Sequence, residues 1–317
     1  MRRPIVQFLP EGPKQFLRVF AIPALRHYFC HSSFPLGKGI LWRHVVAHLL
    51  WLETYVEADT VFGSRLRVDV RDFLGRYIYY FGIWEPNLTR WIRERLHSGD
   101  TFVDIGANIG YYSVLAAQLA NKVVAIEAGP RAFAILETNL AANHAANVRP
   151  INVAVWDREE SLTMFDGPDT AACTGTVMPG WAGKWGLTGR CEVRATPLSN
   201  VLEAEEIRTA RLIKIDVEGA EWHVLSGMSS VFENGREDLE VIVEVSHGML
   251  EAEGRTCADL LAFFENRDFF PYRIDNDYSI ASYCDKSNAH RPERIKAIPT
   301  DIDTVDLIFS RIDAATL

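Results

Sequence analysis

From Thr101 onward the chain reads as strand, helix, strand. Apolar runs of strand length at Thr101–Ile105, Val123–Glu127 and Val148–Val155 are separated by helical patterns at Tyr111–Leu119 and Ala132–Asn139. Strands that alternate with helices lie parallel, joined by right-handed crossovers, and bury both faces of their sheet. The pattern resumes with strand Leu212–Val217, helix Ala220–Gly227, strand Val241–Val245, helix Ala258–Asn266 and strands near Pro271–Ile274 and Thr304–Phe309, seven strands in all. The expected fold is therefore α/β: a doubly wound, seven-stranded, Rossmann-like and largely parallel sheet with helices on both faces.

A chain of 317 residues has room for such a sheet and additions to it. Residues 14–56 are rich in Leu, Val, Phe and Trp, broken at Pro23 and Pro35, and read as two or three helices of an N-terminal extension. Two alternating runs, Arg65–Val70 and Arg76–Tyr80, suggest a β-hairpin, and a short helix is expected at Pro86–Leu96. The division expected is a helical extension over 1–60 and one α/β domain over 61–317. Residues 166–190 hold six glycines and read as a long loop.

Charge and cysteine usage exclude several classes. With 42 acidic and 33 basic residues the formal net charge is −9, which repels phosphate polymers, so no nucleic-acid partner is expected. The five cysteines, Cys30, Cys173, Cys191, Cys257 and Cys284, show no CxxC spacing and read as reduced thiols. No secretory signal is evident, and the apolar stretch Ile40–Leu52 is too short to span a bilayer, so a cytoplasmic protein without a membrane span is expected. His44 and His48 lie one helical turn apart but lack a third ligand, and read as two polar residues on a helix flank.

The chemistry concentrates in Val103-Asp104-Ile105-Gly106-Ala107-Asn108-Ile109-Gly110, where a strand ends and a helix opens. Gly106 allows a tight turn and close approach of a ligand, and Gly110 allows close helix packing. A dinucleotide fingerprint needs Gly-x-Gly-x-x-Gly, but the position of its second glycine holds Asn108, which disfavours a pyrophosphate cradle. S-adenosylmethionine (SAM) carries no phosphate, and Asp104 is placed to attract the ammonium of its amino-acid tail. Glu127 follows Asp104 by 23 residues, at the end of the next strand, where a carboxylate accepts hydrogen bonds from both ribose hydroxyls. The third strand ends in Asn152-Val153-Ala154, whose backbone should border the adenine.

Strand alternation puts Lys214, Asp216 and Glu218 on one side of the Leu212–Val217 strand, an arrangement that suits a ligand crevice better than a buried sheet. Asp216 is expected to face the methyl-transfer region. Glu221 is read as a carboxylate stabilising a helix N-terminus. The strand Val241–Val245 carries Glu244 and leads into His247, whose imidazole is the first candidate for the base that deprotonates a hydroxyl acceptor.

These residues resemble the FkbM family of methyltransferases. The resemblance rests on Phe102–Gly110, on Ile126-Glu127-Ala128, and on Ile213-Lys214-Ile215-Asp216-Val217-Glu218-Gly219-Ala220-Glu221. It is strong from about Gly99 to His247 and absent before Thr60. It implies a SAM-dependent O-methyltransferase acting on a small-molecule hydroxyl, of a sugar, a polyketide or another natural product, with Ala128 beside the cofactor. Glu85 matches an acidic position such enzymes carry before the first strand, where it touches the methionine part of SAM; it reads equally as a residue favouring the helix that starts near Pro86. Two alternatives stay open: an enzyme in which Asp216, Glu218 and Glu244 hold a divalent cation, and a SAM-binding protein without turnover. Nucleobase methylation is disfavoured, because neither an Asn/Asp-Pro-Pro-aromatic motif nor a Pro-Cys nucleophile is present.

Overall fold

The computed structural model describes residues 9–32, 37–46, 55–167, 175–284, 290–299 and 303–317. His48, the end of the Ile40–Leu52 stretch and Cys173 lie outside them. The chain divides into two compact units, Met1–Thr89 with Asp277–Ala289, and Arg90–Asn276 with His290–Leu317.

The first unit opens with a helical run, Glu11–Phe16, Leu17–Ala21 and Ile22–His31, followed by Lys38–Leu41 and Trp42–Val46. The middle segment Leu17–Ala21 is π-helical. It precedes Pro23, whose missing N–H interrupts the α-helical ladder. Among the described residues no helix is long and apolar enough to cross a membrane.

The expected hairpin is only half right. Strand β2 (Arg65–Asp69) pairs antiparallel with β1 (Tyr55–Asp59), upstream of it. The second expected strand is a helix, Phe73–Phe81, begun by the Asp72 carboxylate accepting from the Phe73 amide and ended by Gly82 in the left-handed region. The alternation in Tyr77–Tyr80 misleads because nearly the whole helix is enclosed, so aromatic residues occupy positions that a surface helix would give to polar ones. Tyr77, Tyr80 and Phe81 pack with Phe29, Trp42 and Tyr283 at ring separations between 4.6 and 5.8 Å. Each buried ring contributes about 1.5–3 kcal/mol of transfer free energy.

The second unit holds the main sheet, ordered β13-β12-β14-β11-β10-β3-β4-β5. The strands are β3 (Thr101–Ile105), β4 (Lys122–Ile126), β5 (Val148–Ile151), β10 (Ala210–Ile215), β11 (Glu240–Ser246), β12 (Phe270–Ile274), β13 (Glu293–Arg294) and β14 (Thr304–Ser310). The seven expected strands are all present, and the two-residue β13 is added at the edge. Pairing is parallel from β11 through β10, β3 and β4 to β5, whereas β14 runs antiparallel to both its neighbours. The chain starts in the middle at β3, winds outward through β4 and β5, then returns to the other side of β3 as β10. The strand order reverses between β3 and β10, the place where a doubly wound sheet carries its ligand site at the carboxyl ends of the strands. Every residue of β3 is buried. Its side chains Val103 and Ile105 join those of Val124, Ile126, Ile213, Ile215, Val241 and Val243 in one apolar core.

One expected strand is two. Residues 148–155 break after Ile151, and β6 (Ala154–Val155) leaves the main sheet for a second one, ordered β6-β9-β7-β8. There β7 (Glu160–Asp166) pairs antiparallel with β9 (Gly189–Thr196) and with β8 (Gly175–Thr176). The expected long loop therefore carries β8 and a helix, Pro179–Trp185, among its described residues.

Candidate active site

The first turn hangs from β3. Its Gly106 and Ala107 amides both donate to the Ile126 carbonyl at 2.9 Å. Gly106 takes φ +82°, and a Cβ there would sit 1.7 Å from the Asp216 carbonyl oxygen. The close approach that requires glycine is thus to the backbone leaving β10. At Gly110, φ +87°, a Cβ would come within 2.5 Å of Leu136, on helix Pro130–Ala142.

Asn108 also has a left-handed backbone, φ +52°, which turns its amide toward Glu127. Glu127 Oε2 accepts from the Asn108 amide at 2.8 Å and Oε1 from the Gly129 amide at 2.7 Å. With the side chain nearly enclosed, burial outweighs these two donors and raises the carboxyl to about 7. The Asn152 side-chain Nδ2 donates to the carbonyls of Glu127 and Ala128 at 2.8 and 3.0 Å, so the chain leaving β5 is fastened beside the end of β4. Val153 and Ala154 follow, both buried. Asp104 is buried and accepts from the Ser113 hydroxyl at 2.6 Å; burial raises its pKa against the pull of Lys214 and Ser113.

A second group of charges stands on the neighbouring strands. Lys214 Nζ donates to Asp216 Oδ2 at 2.7 Å. Burial alone would raise Asp216, but the Lys214 charge and hydrogen bonds from Glu244 and Lys214 hold it below the usual carboxylate range. Glu244 moves the opposite way: burial, then the charge of Asp216 and the hydrogen bond with that carboxylate, push it well above its ordinary value. The two carboxyls thus shift in opposite directions, Asp216 toward the ionised form and Glu244 toward the protonated one. Asp306 sits opposite Glu244 in the β11–β14 register and accepts from the Asn276 amide at 2.6 Å.

Glu221 Oε1 accepts from the Gly219 amide at 3.0 Å, and burial raises its pKa to about 7. Glu218 contributes backbone to the site's edge, its carbonyl accepting from the Thr176 hydroxyl at 2.8 Å. Among the described residues no group of three or more His, Cys, Asp or Glu side chains is arranged to hold a metal ion.

His247 departs from expectation. It begins helix His247–Ala252, with Nε2 2.6 Å from the Pro299 carbonyl and Nδ1 3.0 Å from Cys257 Sγ. A carbonyl can only accept, so Nε2 carries the proton and Nδ1 accepts from the thiol. Both ring nitrogens are thus engaged by protein partners, a packing that the expectation of His247 as the base did not include. Glu85 belongs to the first unit, where Oε1 accepts from the Tyr278 hydroxyl at 2.8 Å and the backbone amide donates to the Tyr283 hydroxyl at 3.2 Å.

Comparison with known proteins follows the same residues. A family model described as the methyltransferase FkbM domain matches residues 104–271. The chain is 25% identical over 200 residues to the hexuronic acid methyltransferase AglP of Haloferax volcanii, covering 61% of this chain and 78% of that protein. Among solved structures, the FkbM methyltransferase of Methylobacillus flagellatus KT shares 13% identity at a TM-score of 0.43; the alignment covers 68% of this chain, which spans only 44% of that one. M. jannaschii TYW2 in complex with AdoMet shares 14% identity at a TM-score of 0.43, over 82% of this chain and 88% of the other. A domain match across more than half of the sequence, over the segment that carries the first turn, Glu127, the Asp216 loop and Glu244, establishes that the chain belongs to the FkbM methyltransferase family.

Proposed function

We propose that this chain transfers a methyl group from SAM to a hydroxyl of a small, sugar-like acceptor. The observation that carries the reading is the Lys214–Asp216 ion pair at the end of β10, the strand beside the first turn, with Glu244 following the Ile215–Val243 pair on the adjoining β11. The likeness to a hexuronic acid methyltransferase supports a sugar acceptor.

SAM fits the donor half on charge. Burial, and after it the negative charge of Asp216, raises the pKa values of Asp104, Glu127 and Glu244, so an added positive charge there would be favoured. A cofactor with an ammonium and a sulfonium supplies that charge, whereas a pyrophosphate adds to the repulsion. Asp104 would face the ammonium. Glu127 would hold the ribose, each of its oxygens keeping a lone pair beyond the backbone amide it already accepts. Gly106, Asn108 and Ala128 would shape the wall between them, and Asn152, Val153 and Ala154 the adenine end.

When bound, SAM supplies an electrophilic methyl group. The protein's part is to orient the acceptor oxygen and receive its proton. Glu244, once ionised, would take that proton as the acceptor oxygen bonds to the methyl carbon and the methyl–sulfur bond breaks, leaving the neutral thioether. Lys214 keeps Asp216 ionised throughout, so the proton's destination is Glu244, and the hydrogen bond between the two carboxyls forms again once Glu244 has received it. Because an ammonium already neutralises Asp216, this reading needs no divalent cation at the pair. The test is transfer of label from SAM to simple pyranosides, with formation of a methyl ether as readout. Absence of SAM binding by calorimetry, or binding of NADH instead, would overturn it.

A further inference from the structure

Helix Pro179–Trp185 belongs neither to the donor half nor to the carboxylate pair, yet it is fastened to the loops that leave both catalytic strands. On the β10 side, the Thr176 hydroxyl donates to the Glu218 carbonyl at 2.8 Å and accepts from the Met178 amide at 3.0 Å. On the β11 side, Trp181 lies against Gly248, where a Cβ would come within 3.3 Å of the indole. Met178 and Met249 meet over Gly219, at 3.5 and 3.1 Å from the position of its absent Cβ. Ala182 is buried with Phe165 and Leu187, which holds the back of the helix to the second sheet.

The other side is built differently. Trp185 remains 36% exposed, with its ring centroid 5.7 Å from that of Trp181. Lys184 Nζ stands 3.9 Å above the Trp181 ring, and among the described residues it has no carboxylate partner. Lys184 is exposed, so its ammonium beside the indole face is open to an anion from solution. Indole faces take the C–H face of a pyranose ring, and the ammonium takes an anion beside it.

We propose that Trp181, Lys184 and Trp185 form the acceptor subsite, and that it takes a pyranose ring bearing a carboxylate. The proposal rests on the methyl-transfer reading only for the word acceptor; recognition of the ring and its charge stands on the helix itself. The ring lies on the tryptophans and its carboxylate meets Lys184. The adjoining loops lead from this helix to Asp216 and Glu244, which receive the hydroxyl.

The experiment uses the full chain without SAM, titrated with methyl β-D-glucuronide and with methyl β-D-glucoside and followed by tryptophan fluorescence and ligand-observed NMR. The glucuronide is expected to bind about tenfold tighter than the glucoside. Lys184→Gln should abolish that preference and leave the glucoside unchanged, while Trp185→Ala should weaken both about tenfold. Both side chains are exposed, so thermal unfolding and SAM affinity should stay as in the parent. Equal binding of the two glycosides, a preference that survives Lys184→Gln, or tighter binding of glucose 6-phosphate than of the glucuronide would overturn the subsite. A protein that fails to bind SAM but discriminates the glycosides through Lys184 would overturn the methyl-transfer reading and support the subsite.

Discussion

Binding of SAM should release a proton near neutrality, through Glu127. In the free protein burial holds this carboxyl at about 7, although two backbone amides donate to it. Ribose hydroxyls donate to the ionised form and favour it, so the bound carboxyl titrates lower than the free one. The sign follows: affinity is fully developed above the free pKa and is lost as pH falls through it. Between about pH 8 and about pH 6 the ionised share falls from roughly ten in eleven to roughly one in eleven, so Kd should rise about tenfold. Calorimetry in buffers of different ionisation enthalpy measures both the affinity and the proton count. Glu221 and Glu253 also lie near 7, which makes a variant necessary. Glu127→Gln keeps one acceptor and turns an amide NH₂ toward the second backbone donor, so SAM should bind about 10- to 100-fold more weakly and without the pH slope. A Kd flat across this range in the parent, or a slope that persists in the variant, would refute the reasoning.

Three further outcomes follow from the same geometry. Glu244→Gln should lower kcat by about 10²–10⁴ with little change in SAM affinity, and a kcat within about threefold of the parent would remove Glu244 as base. His247→Ala should cost about 1–2 kcal/mol of stability, seen in denaturant unfolding, because the Cys257 thiol and the Pro299 carbonyl lose their partner, yet leave the pH dependence of kcat in place. Loss of the alkaline rise in that profile at unchanged stability would restore His247. Gly106→Ala should destabilise by more than about 4 kcal/mol, since the methyl would overlap the Asp216 carbonyl in a backbone region that alanine avoids; a loss under about 1 kcal/mol would show the turn to be looser than described.

The legible parts were those in which one short stretch of chain decides the outcome. Residues 101–110 announce a strand end, a left-handed turn and a helix start, and Glu127 stands at the end of the next strand of the same type. The less legible parts depend on partners distant in sequence. The opposite shifts of Asp216 and Glu244 arise because β10 and β11 pair side by side, and no spacing within either strand announces them. His247 read as an open imidazole because its partners, Cys257 and the Pro299 carbonyl, lie 10 and 52 residues further on. The helix at Phe73–Phe81 was hidden by its own burial, which removes the polar face that marks a helical period. In residues 166–190, glycines obscured a helix that takes its support from Gly248 and Phe165 rather than from its own sequence.

The second sheet departs from the main one after Ile151 and the chain rejoins it at Ala210, so everything from β6 to β9 is an excursion between two fixed points of the main sheet. Its point of departure is clamped by the Asn152 side-chain Nδ2 to the chain just past β4, independently of what the excursion itself contains. A replacement of that segment need not alter the register of β3, β4 or β10. Such an arrangement makes the excursion a natural unit for exchange between relatives: a chimera that keeps Asn152 and the two junctions can inherit a new surface opposite the carboxylate pair while the donor turn stays in its original frame.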